Sequence, residues 1–235
     1  DQLSKKNIDT DFIEVDGLSR FNVKLRSNEE TEINGMGPKI TANDVSKLYE
    51  KLDKLKSGDY LVLAGSIPPS LSSSMYMDIM KRLEGKEIKI IVDASKDLLK
   101  KVLPYKPYLI KPNNIELGEI FDVELNTVDD VIPYAQKLQE MGAQNVLVSL
   151  AKDGAVLVSE DGVIHKASAP SGKVINSVGA GDSMVAGFLS EITRKNDYNL
   201  ALLTGICAGS ASAFSTYFGT KAKVFNLLQN YKNQY

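Results

Sequence analysis

The sequence predicts an α/β fold in which a doubly wound, mainly parallel sheet has helices on both faces. Short apolar strands alternate with longer helical stretches through most of the chain, and this alternation is typical of βαβ units. The chain has 235 residues, 43% of them hydrophobic, which suffices for one large domain or for one domain with a small appendage.

The chain opens on "DQLSKKNIDTDFI", which has the pattern of a helix end that runs into a strand, with Asn7 as the helix stop. It carries no initiating methionine, so we expect that it begins inside a larger protein. Residues 11–34 then alternate as "DFIEV", "RFNVKL" and "ETEI", with "DG" and "SNEE" as turns. No helix separates these segments, so they predict a small antiparallel sheet.

The alternation of helices and strands begins at Thr41, a predicted cap of the helix "ANDVSKLYEKLDKL", which leads to the strand "DYLVLAG". The elements that follow are a helix near 72–84, the strand "IKIIVDA", the helix "KDLLKKVL", the strand "YLIKPN", the helix "NIELGEIF", a helix near 127–141 and the strand "NVLVSL". "AVLVSE" and "GVIHKA" form a predicted hairpin around the "DG" turn. Helices are predicted at 179–193, about 198–214 and 221–231.

Ligands of open α/β sheets bind beyond the carboxyl ends of the strands. The loops of interest are therefore "AGSIPPS", "DASKD", "KPNNIE" and "SLAKDG".

Composition excludes several classes of partner. The net charge is -2 and no block of lysine and arginine stands out, so we expect neither a nucleic-acid partner nor a membrane partner. The single cysteine, Cys207, and the single histidine, His165, exclude an internal disulfide framework and a metal site built on cysteine and histidine clusters. We expect a small-molecule partner, because no nucleic-acid or membrane footprint stands out, and a reducing cytoplasm, because the chain has a single cysteine. The polar start is no signal peptide.

The segment "VGAGDSMVAGF" combines small residues with one acid. Gly179, Ala180 and Gly181 at a helix start would leave backbone N–H groups pointing outward, which favours an anion such as phosphate. Asp182 could take a proton from a hydroxyl group that attacks this phosphate, or it could simply cap the helix. An apolar run follows Asp182, so we expect its carboxylate to carry a desolvation cost. The segment matches neither a P-loop nor the dinucleotide fingerprint of a dehydrogenase.

The segment "KPNNIELGE" places Lys111 and Asn113 at a strand end and Glu116 three residues after Asn113. The amide and the carboxylate suit a Mg²⁺ ion that accompanies nucleotide phosphates. The same pair is also typical of a helix cap that resembles a capping box. Arg20, between strands of the small sheet, is a candidate phosphate clamp or an exposed structural arginine.

Taken together, "VGAGDSMVAGF", "IKPNNIELGEIF" and "VSLAKDGA" resemble, in order and separation, the ribokinase/PfkB family of carbohydrate kinases. The resemblance covers essentially the whole chain. It implies a ribokinase-like nucleotide-binding domain over residues 35–235, with residues 11–34 as part of a β-sheet lid that excludes water from the sugar and supplies a possible homodimer contact. The family's N-terminal portion, with its sugar-binding segment, is expected to be missing.

The resemblance also implies a role for each candidate residue. Asp182 would be the catalytic base, and Gly179, Ala180 and Gly181 would form the anion hole. Asn113 and Glu116 would hold Mg²⁺ and the phosphates of ATP, with Lys111 nearby. The nucleotide would be flanked by Ser149, Gly154 and Ser210, and Arg20 would hold the substrate phosphate. Ala151 stands where family members commonly carry glycine.

Within the family, "SRFNVKL", "ETEINGMGP", "AGSIPPSL" and "AGSASAFS" resemble the branch that phosphorylates fructose 1-phosphate to fructose 1,6-bisphosphate. A kinase of tagatose 6-phosphate is the nearest alternative. A truncated kinase that binds ATP without turnover is the alternative from a different class.

Overall fold

The computed structural model describes residues 3–26, 30–94 and 96–232. These residues divide into two compact units. The first consists of residues up to 59 together with 66–88, and the second of residues 60–65 together with 89 onward.

The first unit contains the small antiparallel sheet that the sequence predicts. Strands β1 (Asn22–Arg26) and β2 (Glu30–Asn34) pair with Val23 opposite Ile33. The predicted "SNEE" turn at residues 27–30 lies mostly outside the described residues. A short 3-10 helix, Ser4–Lys6, ends at Asn7, which adopts the left-handed conformation, so the predicted helix stop is confirmed.

The prediction of a strand in "DFIEV" is wrong, because residues 11–15 form neither a strand nor a helix. The alternation of apolar and acidic residues is present there, but these residues pair with no strand in the described part of the chain. Phe12 is accordingly 73% exposed. Alternation alone does not make a strand, because the backbone groups also need a partner to bond.

Two helices complete the first unit. Helix α1 (Ala42–Leu52) begins at Thr41, whose side chain forms a reciprocal capping box with Asp44, as the sequence predicts. Helix α2 spans Met75–Arg82 and lies within the range predicted for it. Arg82 forms an ion pair of 2.6 Å with Asp53, the residue that follows α1.

The second unit is built on a six-stranded sheet in which the strands lie side by side in chain order. The first four strands are parallel: β3 (Tyr60–Ala64), β4 (Lys89–Asp93), β5 (Leu109–Ile110) and β6 (Asn145–Ser149). The predicted hairpin β7 (Ala155–Val158) and β8 (Ile164–Ala167) follows in antiparallel pairing. The predicted doubly wound α/β class with a mainly parallel sheet is confirmed.

The helices of the second unit match the predicted positions. They are α3 (Lys96–Val102), α4 (Asn114–Phe121), α5 (Val128–Glu140), α6 (Ala180–Lys195), α7 (Tyr198–Ala213) and α8 (Lys221–Lys232). Short 3-10 helices occupy Leu103–Tyr105 and Ala151–Asp153. In the described part of the chain, no helix is both long enough and apolar enough to cross a membrane.

Both faces of the central strands of this sheet are covered. Leu147 and Leu157 belong to a core cluster with Phe188 of α6 and Leu202 of α7, while α5 packs on β6 and β7. Successive residues of a strand point to opposite faces, and all four residues of β7 are buried. The edge at which β4, β5 and β6 end is therefore the place where polar side chains can project from a fixed framework.

Candidate active site

The start of α6 has a conformation that glycine supports best. Gly179 is the residue that precedes α6, and its φ of 75° lies in the left-handed region. A Cβ atom at this position would lie 2.5 Å from Cε1 of Phe218. Both the backbone conformation and the available space therefore favour glycine at the predicted anion site.

Of the four backbone N–H groups at residues 180–183, the first and the last donate hydrogen bonds within the chain. The N–H of Ala180 donates to the carbonyl of Ser177 at 3.2 Å, and the N–H of Ser183 donates to the carbonyl of Gly179 at 2.9 Å. Between them, the amides of Gly181 and Asp182 have no hydrogen-bond partner among the described residues. Since the positive end of the helix dipole lies behind them, these two amides can bind an anion.

The carboxylate of Asp182 is exposed, so the expectation of a desolvation cost is wrong. The buried face of α6 begins at Val185, one turn later. Asp182 is the third residue of the helix and its side chain has no hydrogen bond or ion pair in the described part of the chain. It is therefore not used as a helix cap and remains available to accept a proton.

Lys111 connects two elements of this edge. It is only 7% exposed, and its Nζ lies 3.2 Å from Oδ1 of Asp93 at the end of β4. The same Nζ lies 3.1 Å from the position that a Cβ atom would take on Gly181. The ammonium group thus lies beside the anion-binding turn of α6.

Asp93 experiences several charges. Burial raises the pKa of its carboxyl group, the Lys111 ammonium opposes this rise, and the carboxylates of Asp182 and Glu116 increase it. One lysine therefore shares this edge with three carboxylates. The surplus of negative charge favours a cation or a cation-bound ligand at this place.

Asn113 and Glu116 form the helix cap that was one of the two interpretations of "KPNNIE". The Asn113 side chain accepts the N–H of Glu116 at 2.8 Å, and the Glu116 carboxylate accepts the N–H of Asn113 at 2.8 Å. Asn113 also forms an isolated parallel bridge with Ser149. Three predicted site residues therefore lie together where β5 and β6 end.

Close packing constrains the backbone at Gly154 and near Ser210. A Cβ atom on Gly154 would lie 2.0 Å from the carbonyl oxygen of Ala167, so the turn after β6 can pass β8 only with glycine. Ser210 is half-buried in α7, and a Cβ atom on the preceding Gly209 would lie 3.0 Å from the carbonyl oxygen of Ala180. The turn of α7 that carries Ser210 thus packs on the start of α6.

Arg20 belongs to the first unit. Its side chain is exposed, its Nε donates to Oδ1 of Asn22 at 3.1 Å, and its Nη1 donates to the hydroxyl of Ser66. Both interactions lie within that unit. The role of Arg20 as a phosphate clamp stays a prediction.

Asp93 is a residue of this edge for which the sequence predicts no role, although it begins the marked loop "DASKD". A signal was present, since an acid that ends an apolar parallel strand lies at the edge where ligands bind. What the sequence could not show is the partner, because Lys111 follows a different strand and the ion pair depends on the pairing of β4 with β5.

The chain is similar to known proteins over most of its length. The model of the pfkB family carbohydrate kinases matches residues 1–223. The chain belongs to the pfkB family. It is therefore a carbohydrate kinase, that is, a phosphotransferase that acts on an alcohol group.

Two relatives are similar in sequence to this pfkB protein over most of its length. A 1-phosphofructokinase of Bacillus subtilis is 44% identical over 98% of this chain and 76% of its own length. A D-tagatose-1-phosphate kinase of Bacillus licheniformis is 34% identical over 95% of this chain and 73% of its own length.

A solved structure gives the same fold. Phosphofructokinase-2 of Escherichia coli, in complex with substrates and products, superposes with a TM-score of 0.89 at 26% identity. The match covers 98% of this chain and 76% of that chain.

Proposed function

We propose that the protein transfers the γ-phosphoryl group of ATP to the free terminal hydroxyl of fructose 1-phosphate, giving fructose 1,6-bisphosphate and ADP. The observation that carries the proposal is the unpaired Asp182 carboxylate beside the unpaired amides of Gly181 and Asp182. A base next to an anion-binding turn suits phosphoryl transfer, which depends on positioning and charge stabilisation.

The first turn of α6 and Lys111 carry out the proposed step. Asp182 accepts the proton of the sugar hydroxyl as its oxygen bonds to the γ-phosphorus and the bond to the bridging oxygen of ADP breaks. The two amides bind the developing negative charge, with Gly179 and Ala180 shaping the turn. The Lys111 ammonium, beside Gly181, adds positive charge close to the transferred group.

The residues present fit a Mg²⁺ ion that is shared with ATP. Among the described residues, no three histidine, cysteine or acidic side chains lie close enough to hold a metal by themselves. Mg²⁺ usually keeps several waters and binds one or two carboxylates together with substrate phosphates. Asn113 and Glu116 would hold it on this surface, with Asp93 close by, and the bound ion would neutralise charge on the ATP phosphates.

The nucleotide and the sugar phosphate need further contacts. We assign Ser149, Gly154 and Ser210 to the flanks of the nucleotide, because Ser149 adjoins Asn113 and the turn of Ser210 packs on the start of α6. We assign Arg20 to the phosphate of the sugar through its guanidinium fork. The choice of fructose 1-phosphate rests on the relative with 44% identity.

We also propose that the protein acts in the cytoplasm, as a homodimer through the small sheet. The opposed pair Val23 and Ile33 is 40% and 54% exposed, respectively, and exposed apolar patches mark contact surfaces. A related kinase, phosphofructokinase-2 of Escherichia coli, has been solved in a tetrameric inhibited form.

The test is ADP release from Mg²⁺ and ATP with fructose 1-phosphate, tagatose 6-phosphate, tagatose 1-phosphate and fructose 6-phosphate as competing acceptors. Asp182→Asn should lower turnover by about 10³-fold, in the range expected for a lost general base, and should leave ATP affinity unchanged. Asp129→Asn, in an exposed acid of α5, is the matched control and should behave as wild type.

The outcomes separate the alternatives. A preference for a tagatose phosphate would show that fructose 1-phosphate is not the main substrate. Full turnover in Asp182→Asn would show that Asp182 is not the base. ATP binding without turnover, both in this chain and in a version extended at its amino end from the Bacillus subtilis relative, would contradict the enzymatic proposal. Turnover only in the extended version would still support the proposed kinase function.

A further inference from the structure

The first turn of α6 is connected to the end of α7 by a buried hydroxyl. Ser212, in the last turn of α7, is 3% exposed. Its Oγ lies 2.8 Å from Oγ of Ser183, the residue directly after Asp182. The same Oγ accepts the N–H of Gly219 at 2.9 Å. The Ser212 side chain thus connects the first turn of α6 and the loop that follows α7 to helix α7.

That loop also contacts Gly179, the residue that precedes α6. The ring of Phe218, next to Gly219, lies against Gly179. The N–H groups of Ile175 and Asn176 donate to the carbonyl of Ala213 at 2.8 and 3.0 Å. The residues before and within the anion-binding turn are therefore positioned by the end of α7.

The hydrogen-bond capacity of Ser212 suits this junction. A hydroxyl has one proton and two lone pairs, so Ser212 can accept from Gly219 and still exchange a hydrogen bond with Ser183. Because the group is buried, removing it would leave the N–H of Gly219 and the hydroxyl of Ser183 without this partner, which is costly for buried polar groups.

We propose that Ser212 is a positioning residue for phosphoryl transfer, which holds the turn of Asp182 and its anion-binding amides in register with the loop at residues 214–219. The inference rests on the proposed function. Small displacements of reacting groups lower rates steeply. Ser212 therefore acts on kcat through Ser183 and Gly219, without touching either substrate.

The test compares four variants of the full chain: Ser212→Ala, Ser183→Ala, the double variant, and the control Ser190→Ala. Ser190 lies in α6, and among the described residues its hydroxyl bonds only to the carbonyl of Gly187 in its own helix. We expect Ser212→Ala to lower kcat about tenfold with the KM for ATP unchanged. The double variant should lose no more than Ser212→Ala, because both changes break the same hydrogen bond.

A second measurement does not depend on activity. Amide hydrogen exchange over residues 176–183 should become faster in Ser212→Ala and stay as in wild type in Ser190→Ala. A kcat of Ser212→Ala at the wild-type level with unchanged exchange would overturn the inference, and so would losses that multiply in the double variant. Absence of turnover both in this chain and in its amino-extended version would instead contradict the proposed function, and exchange would still decide whether Ser212 fixes the turn.

Discussion

The two ends of strand β4 carry opposite chemistry. The strand begins at Lys89 and ends at Asp93. Around its start lies the amino-edge cluster, consisting of Tyr60, Lys89, Tyr108, Glu160 and Tyr198. Around its end lies the carboxyl-edge cluster, consisting of Asp93, Lys111, Glu116 and Asp182.

The amino-edge cluster satisfies its own polar groups. The Lys89 ammonium lies 4.6 Å from the centre of the Tyr108 ring and 5.3 Å from that of Tyr60, and the Tyr198 hydroxyl donates to Glu160 at 2.7 Å. Burial raises the pKa of Tyr198, and the hydrogen bonds with Tyr108 and Glu160 raise it further. The hydroxyl therefore stays protonated and keeps donating to Glu160.

The carboxyl-edge cluster does not balance itself. Its single lysine faces three carboxylates, and Asp182 has no partner in the described part of the chain. We infer that the balanced charge at one end of the strand stabilises the fold, while the unbalanced charge at the other end is suited to binding a ligand. Variants at the two ends should therefore affect different properties.

The largest effect that tests this division is expected for Lys111→Met. Turnover should fall about 10²-fold, because one electrostatic contact to the transferred group is lost. Lys89→Met, at the other end of the sheet, is the matched control and should keep wild-type turnover while the melting temperature falls. Steady-state kinetics and thermal unfolding of both variants check this. Equal losses of turnover in the two variants would show that the two ends of β4 do not differ in function.

A smaller effect is expected for Gly179→Ala. Alanine in the left-handed conformation costs about 1–2 kcal/mol, and its Cβ atom would press on the Phe218 ring. Turnover should fall about tenfold because the anion-binding turn shifts.

Gly162→Ala is the control for Gly179→Ala. Gly162 has a φ of 79° and open space around its Cβ position, at the turn between β7 and β8. It should lose similar stability and keep full turnover. Turnover of Gly179→Ala at the level of Gly162→Ala would show that the position of the turn does not matter.

The smallest effect is expected for Tyr198→Phe. Loss of the hydrogen bond to Glu160 should lower the free energy of unfolding by about 1 kcal/mol and leave turnover as in wild type. Tyr217→Phe, in a side chain that is 85% exposed, should change neither property. Chemical denaturation and turnover assays decide, and a marked loss of turnover in Tyr198→Phe would connect the two ends of the sheet.

Much of this architecture could be predicted from the sequence, because periodicity and caps are local. Thr41 with Asp44, and Asn113 with Glu116, lie three residues apart, so their capping boxes are visible in the sequence. The segment "DFIEV" was misassigned because pairing of strands is not local. Asp93 was missed for the same reason, since its partner Lys111 follows a different strand.

The pKa of Asp93 also gives a pH dependence. Since this pKa is raised above 3.8, the folded state binds the proton more tightly than the unfolded chain does. Ionisation of Asp93 therefore lowers the stability of the fold as the pH rises from 3.8 through the folded-state pKa. The melting temperature of Asp93→Asn relative to wild type should therefore increase as the pH rises above 3.8 and should not change with pH below it.

The most direct test measures turnover and melting temperature together in Asp93→Asn and Glu160→Gln at pH 7. We predict that Asp93→Asn lowers turnover, because Lys111 loses the carboxylate that holds its ammonium beside Gly181. Glu160→Gln should lower the melting temperature and keep wild-type turnover. Wild-type turnover in Asp93→Asn, or a loss of turnover in Glu160→Gln, would contradict the division between the two ends of the sheet.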